Sequence, residues 1–436
     1  MVTETPTEVR ERLRTLIRAM EARPSRSRPT TPSRDFSEWR PRPWPMEEVF
    51  PTAVRRETPE GVCTYIEVTY PLDYRVGDQP LGEAAHADPR LYALLAPGEA
   101  LEGVALGDLL FLDIESTGLG GAGAVAFLVA TGRFEVRGGI EAFVLRQYLA
   151  ASPPEEGAVL DAVLEDGRVR TGDPVLVTYN GRVFDAPLLD ERATMHRRRA
   201  GFDVLRHLDL LIPMRTGLRG AIGSCRLSMI ETEILGATRP HTEIEGSQVP
   251  SWYFRFLRSG DARMLAPIVE HNAFDVVSLG AILARFAALR TGARDATPLD
   301  AVALGRLHAA RGEQEAAVSH LSRALEGLPP VAARDDTLLR LAAVHRRMGR
   351  RDLAEPLWRE VAARPGAAAL RPLVELAKAL EHDRHDFLGA LHVTVEALAR
   401  AGIVAHHDPP AGRRWRETLE VRRARLERRA ARIATA

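Results

Sequence analysis

The sequence predicts a two-part chain: a mixed α/β sheet with flanking helices, followed by an all-helical array. Three observations carry this. Strand-like runs come first in hairpin succession and then alternate with helical segments over residues 109–292, the order that builds a mixed sheet. From residue 297 onward the pattern is wholly helical, and similar helix pairs recur after about 37 and then about 34 residues. At 436 residues the chain is too long for one compact domain, and 45% hydrophobic residues suffice for more than one core.

Residues 1–50 read as a flexible basic, Pro-rich arm. A short amphipathic stretch, VRERLRTLIRAMEA, gives way to PSRSRPTTPSRDF and RPRPWP, whose composition cannot bury enough apolar surface to fold alone. A solvated linker outweighs a nucleic-acid contact there. Residues 51–108 read as a lead-in covering one edge of the next domain, with a strand in CTYIEVTY and a short helix in RLYALLA.

Five strands are expected in the sheet of residues 109–292. LLFLDIE, AVAFLVATGRFE and GIEAFVLRQYLA are the first three, the last two joined as a hairpin at Arg137-Gly138-Gly139. A helix at about 154–165 precedes the buried strand PVLVTYN, and another helix opens within GRVFDAPLL. The short strand HLDLL, a helix around LSMIETEILG and a long helix over about 260–289 complete the domain.

In residues 297–436, LGRLHAARGEQEAAVSHLSRAL turns at Gly312 and LAAVHRRMGRRDLAEPLWREV at Gly349. A weaker third pair, VELAKALEHDRHDFLGALHVTV, turns around Asp383. That period is the one of tetratricopeptide-like helix pairs, whose stacked surfaces bind proteins. The tail RRWRETLEVRRARLERRAARI holds nine Arg and three Glu; a solvated terminal helix outweighs a phosphate-binding surface.

Composition narrows the function classes. Basic and acidic residues balance, 59 against 59, so no global field selects a polyanionic partner. Lys378 is the only lysine, a bias toward Arg that fits genome composition. Cys63 and Cys225 are the only cysteines, which excludes a disulfide framework or a Cys-based zinc site. No uninterrupted apolar run approaches the ~18 residues of a membrane span, and no signal-like segment opens the sequence. A cytoplasmic protein without a membrane partner is expected.

The chemistry sits in three places. In FLDIESTGLGG, Asp113 and Glu115 lie two apart on a strand and so share one face. Two carboxylates held together call for a compensating cation, and hard divalent ions such as Mg²⁺ take such oxygen ligands. In VTYNGRVFDAPLL a buried strand ends at Asn180, and Asp185 opens the next helix, facing back toward the strand ends. In EHNAFDVVSLGAILARF, His271 and Asp275 are four apart on a helix whose apolar stripe is Val276, Leu279 and Leu283. A carboxylate and an imidazole one turn apart suit a metal ligand and a proton acceptor.

In order, D-x-E, N-x-x-x-FD and H-x-x-x-D resemble the three motifs of the DEDD (DnaQ-like) 3′–5′ exonucleases, on the ribonuclease H-like fold. The set is closest to that superfamily's YprB-like domains. The likeness extends over about residues 105–290 through AVAFLV, HLDLL and SCRLSMIETEILG. It implies that Asp113, Glu115, Asp185 and Asp275 hold two Mg²⁺ or Mn²⁺ ions, with His271 as general base. Thr117 and Gly118 would lie along the terminal nucleotide, and Tyr179 and Asn180 would orient the site or touch the sugar. The pattern departs at His271: the two main subclasses place Tyr four or His five residues before the last acid. The metal ligands are therefore better supported than the base.

Other residues receive both readings. His207 and Asp209 read as a structural edge-strand pair, Cys225 as core filler and Arg226 as a phosphate contact or surface arginine. His241, Trp252 and Tyr253 lie in a stretch that could cover the site, where aromatics could stack an end base; core packing weighs at least equally for Trp252. The leading expectation is a divalent-metal-dependent 3′–5′ exonuclease on single-stranded DNA or RNA ends. The alternative is a scaffold with an inactive nuclease-like domain and protein-binding helical repeats.

Overall fold

The computed structural model describes residues 43–118, 120–121, 123–239, 244–328 and 332–434, with Glu11 and Thr15 alone from residues 1–42. Most of the basic arm therefore lies outside the described residues, but its end is not a flexible arm: Met46–Val49 is helical, Val49 and Phe50 are buried, and Ala262 N–H donates to Trp44 O. The chain divides into two compact units, one running to Arg215 and resuming over Cys225–Asp295, the other comprising Thr216–Ser224 and Ala296–Ala436.

The first unit is built on one sheet of β1 (Val54–Thr58), β2 (Gly61–Pro71), β5 (Leu109–Ser116), β6 (Ala126–Arg137), β7 (Ile140–Leu149), β8 (Val175–Thr178) and β9 (His207–Asp209). A separate two-stranded ribbon pairs β3 (Arg75–Val76) with β4 (Gln79–Pro80). In the main sheet the order is β1-β2-β7-β6-β5-β8-β9, antiparallel except where β8 joins β5 and β9 joins β8 in parallel. The sheet thus has seven strands, not the five expected. The lead-in supplies the other two: β2 pairs along β7 from Thr64↔Leu149 to Pro71↔Ala142, and β1 folds back onto β2. An unpaired β7 would expose a row of backbone donors and acceptors. The β6–β7 turn has Gly138 and Gly139 at φ of 58° and 83°, the left-handed pair that a primed hairpin turn requires.

Apolar runs explain the centre of the sheet. Leu109–Leu112 and Val175–Val177 are fully buried, as expected for strands covered on both faces. The helices that flank the strands include α1 (Glu156–Asp166), α2 (Asp185–Met195), α3 (Leu227–Glu233), α4 (Val249–Ser259) and α5 (Ala266–Thr291). Alternation puts Phe111, Asp113 and Glu115 on the face of β5 that carries Gly132 on β6 and Phe143 and Gln147 on β7. α5 packs on that face. A Cβ at Gly132 would overlap the Phe143 ring and lie 2.8 Å from Val276 Cγ1. The missing side chain lets α5 settle close enough to bring its own polar residues to the end of β5.

The second unit consists of α6 (Pro298–Ala310), α7 (Gln314–Gly327), α8 (Ala332–Arg347), α9 (Arg351–Ala362), α10 (Leu370–His382), α11 (Phe387–His407) and α12 (Pro409–Ala434). Gly312 and Gly349 take the left-handed turn positions, at φ of 80° and 76°. The arginine-rich tail is not merely solvated. Arg422, Arg425 and Arg429 of α12 all reach the fully buried carboxylate of Glu381 on α10.

The expectation that nothing is long and apolar enough to span a membrane also needs correction. Ala262–Thr291 and Phe387–His407 both pass by length and composition, because their few polar residues are spread out and break up uninterrupted runs. The first is the core helix, with 83% of its most apolar window buried. The second turns Ala390, Thr394, Ala397 and Ala401 inward.

Gly132→Ala should cost roughly 1–3 kcal/mol through overpacking. Urea denaturation of the full chain checks this, with a lowered midpoint and an unchanged slope as the expected result.

Candidate active site

The carboxyl end of β5 is where the distant acids meet. Asp113 and Glu115 arrive by strand alternation. Asp185 arrives because the β8–α2 connection is tightly wound. Asn180 sits at φ 73°, its N–H donated to Asp209 Oδ1 at 2.8 Å, while Arg182 N–H donates to Asp209 Oδ2 at 3.2 Å. Leu211 N–H adds a third bond to Asp209 at 3.1 Å, and Gly181 N–H donates to Thr178 Oγ1 at 3.1 Å. Asp209 is thus the anchor of the turn that opens α2. His207 Nε2 pairs with Thr178 Oγ1 at 2.8 Å, and burial pushes His207 down to about 4, so it stays neutral. Both residues serve the turn.

His271 and Asp275, one turn apart on α5, complete the group. His271 Nε2 lies 3.6 Å from Asp275 Oδ2 and 3.9 Å from Glu115 Oε1. The electrostatics show mutual proximity. Burial, then the charges of Asp275, Asp185 and Glu115, push Asp113 well above the usual carboxylate range. Burial pushes Glu115 up to about 8, opposed by His271 and reinforced by Asp275 and Asp185. Asp185 rises to about 7 through burial, against backbone hydrogen bonds that include one from Ile114. All four acids bear on one another.

Several contributors were not singled out from the sequence. Asn272, fully buried beside His271, donates its amide to Asp113 Oδ2 at 2.7 Å. Gln147 of β7 in turn donates to Asn272 Oδ1 and to Val269 O, both at 2.9 Å. This relay fixes the rotamer of Asp113. The signal was present inside HNAFD, since α5 must turn residue 272 toward the sheet if it buries Val276. Arg239 and Glu231 form a second unforeseen pair: Arg239 bonds Glu231 through Nε and through Nη2 at 2.9 Å, and Nη2 reaches Asp275 Oδ1 at 2.6 Å.

The expected substrate contacts fare unevenly. Thr117 closes its own loop, exchanging bonds with Val125 through its N–H (3.0 Å) and its Oγ1 (2.9 Å). Among the described residues Gly118 leaves room, with Ala124 Cβ at 3.9 Å from where a side chain would start. Tyr179 donates its hydroxyl to Cys225 O at 2.6 Å, which ties two loops together. Tyr253 is not a stacking platform. It is fully buried, lies on Phe127 at 3.9 Å and donates to Ala150 O at 3.0 Å. Trp252 is half-buried with Arg255 over its ring, Cys225 directs its thiol at Met214 O, and Arg226 is exposed at the start of α3. His241 lies outside the described residues.

Once the sheet and the acids are placed, a family comparison follows: residues 110–287 match the model of the RNase_H superfamily, and the mixed sheet with its flanking helices is consistent with a ribonuclease H-like fold. The wider chain is similar to the uncharacterized protein YprB of Bacillus subtilis (strain 168), with 28% identity over 373 residues, covering 84% of this chain and 86% of that protein.

Because Asp185 and Glu115 keep their protons in the fold up to about 7 and about 8 but release them near pH 4 when unfolded, the folded state binds more protons across that window. With a chelator present, stability should therefore fall as pH rises from about 5 to about 8, by up to ~1.4 kcal/mol per pH unit per extra proton. Glu115→Gln should flatten the upper part of this slope. Denaturation midpoints across a pH series check both, and a rising slope would contradict the reading.

Proposed function

We propose that the chain is a divalent-metal-dependent 3′–5′ exonuclease acting on single-stranded nucleic acid ends. The observation that carries this is the convergence of Asp113, Glu115, Asp185 and Asp275 at one end of a ribonuclease H-like sheet. The domain class supports nuclease-type hydrolysis, and direction and strandedness rest on the motif resemblance.

The residues fit Mg²⁺ or Mn²⁺ by donor chemistry. Hard carboxylate oxygens crowd together, and burial with neighbouring negative charge raises the proton affinity of Asp113, Glu115 and Asp185, which a bound cation would relieve. Among the described residues no three His, Cys, Asp or Glu side chains are already gathered as a metal cage; Arg239 holds one oxygen of Asp275 instead. Two ions, when bound, would activate a water and stabilise the leaving 3′-oxygen. Asp113 and Glu115 would hold them from β5, Asp185 from α2 and Asp275 from α5. Asn272 keeps Asp113 aimed, and His271 stands within reach of a water placed between Glu115 and Asp275.

Digestion of end-labelled single strands with Mg²⁺ or Mn²⁺ tests this, DNA and RNA in parallel. Stepwise loss from the 3′ end is expected, with Asp113→Ala slower by ~10³-fold or more, the scale of losing transition-state charge stabilisation. Activity that persists in Asp113→Ala, or wild type inert on every strand and metal, would refute it.

The second unit's repeat period supports a tetratricopeptide-like array with a protein partner. A cleft of about 470 Å³ there is lined by Trp358, Trp415, Arg346, Arg371 and Lys378 among others. Crosslinking from Lys378 in the full chain should capture that partner, and Arg371→Glu should reduce the yield.

A further inference from the structure

The acidic cluster contains its own cation. Arg239 is anchored by Glu231, which is fully buried on α3. From that anchor Nη2 reaches Asp275 Oδ1 at 2.6 Å, and Nη1 lies 3.3 Å from His271 Nδ1. The guanidinium also stands over the Phe274 ring, 5.5 Å from its centroid. Glu231 and Asp275 are not equivalent as its partners. Glu231 is sealed from solvent and would be an unpaired buried charge without Arg239, a loss of several kcal/mol in general. Asp275 keeps 14% of its side-chain surface exposed and can exchange one cation for another.

The direction of the bond to His271 has a chemical consequence. A guanidinium has donors only, so Nη1 needs a lone pair on Nδ1. The proton of a neutral imidazole then sits on Nε2, the atom that faces Asp275 and Glu115. With Arg239 in place the lone pair of the neutral ring is held at Nδ1, so Nε2, 3.6 Å from Asp275 Oδ2 and 3.9 Å from Glu115 Oε1, carries the proton and cannot accept one from water.

Resting on the metal-nuclease reading of the acids, we propose that Arg239 is a positioning residue that must let go of Asp275 and of His271 Nδ1 before Asp275 can take a divalent ion and Nε2 can act as base. Glu231 keeps the guanidinium tethered beside the site throughout.

Two measurements on the full chain test this without any nuclease assay. In chelator-treated, ¹⁵N-labelled wild type, two-bond ¹H–¹⁵N correlation, assigned by loss of signals in His271→Gln, should show Nδ1 unprotonated and Nε2 protonated. Mg²⁺ alone should change that pattern. By calorimetry, Arg239→Gln should bind Mn²⁺ about tenfold more tightly than wild type, equivalent to ~1.4 kcal/mol. Should that variant fail to fold, Arg239→Met with Glu231→Met removes both charges and carries the same expectation. Protonated Nδ1 in the wild type, or Mn²⁺ affinity unchanged or weaker once Arg239 is removed, would overturn the proposal. A wild type that meets these expectations and cleaves no strand would refute the nuclease reading alone.

Discussion

Like charges held in a poorly solvated place govern the first unit. Burial, with the charge of Asp275 among the neighbours, raises the proton affinity of Asp113, Glu115 and Asp185, and such an arrangement persists only where the surrounding fold over-determines it. The over-determination is visible. Asp113 is fixed by a two-amide relay from β7, Asp185 by a turn that Asp209 ties with two backbone bonds, and Asp275 by a guanidinium that a buried carboxylate holds. Each support comes from a different element, so no single loop movement disperses the group.

That redundancy depends on close approach. α5 carries three of the polar residues involved, and its depth on the sheet is set by what β6 lacks at position 132. Specificity of packing and placement of chemistry are here the same property: the contact between Val276 and the sheet aims Asn272 at Asp113 and leaves His271 and Asp275 at the strand end.

Much of this could be read from local pattern. The acids stand at strand ends or on helix faces whose periodicity is visible over a few residues, and the hairpin announced itself through Gly138-Gly139. What escaped was long-range. Charged VRRET does not look like a strand until CTYIEV pairs beside it, so β1 and the full extent of the sheet were missed. Gln147 and Asn272 are 125 positions apart, and nothing local links them. Arg239 resembles any other arginine in a chain that uses arginine almost exclusively. Its role follows from Glu231 being buried, and burial of a glutamate within LSMIETEIL contradicts its usual preference. Tyr253 was misplaced for the opposite reason, since an aromatic in a loop-rich stretch looks available until its stacking partner is known.

In the second unit, Glu381 gathers three guanidinium groups from one neighbouring helix, Arg422, Arg425 and Arg429. A carboxylate enclosed among apolar side chains tolerates its charge only while those groups are present. The arginine-rich segment therefore behaves as a keystone for the array, not an appendage: prise it away, and the preceding helices are left with a buried anion stripped of three guanidinium partners.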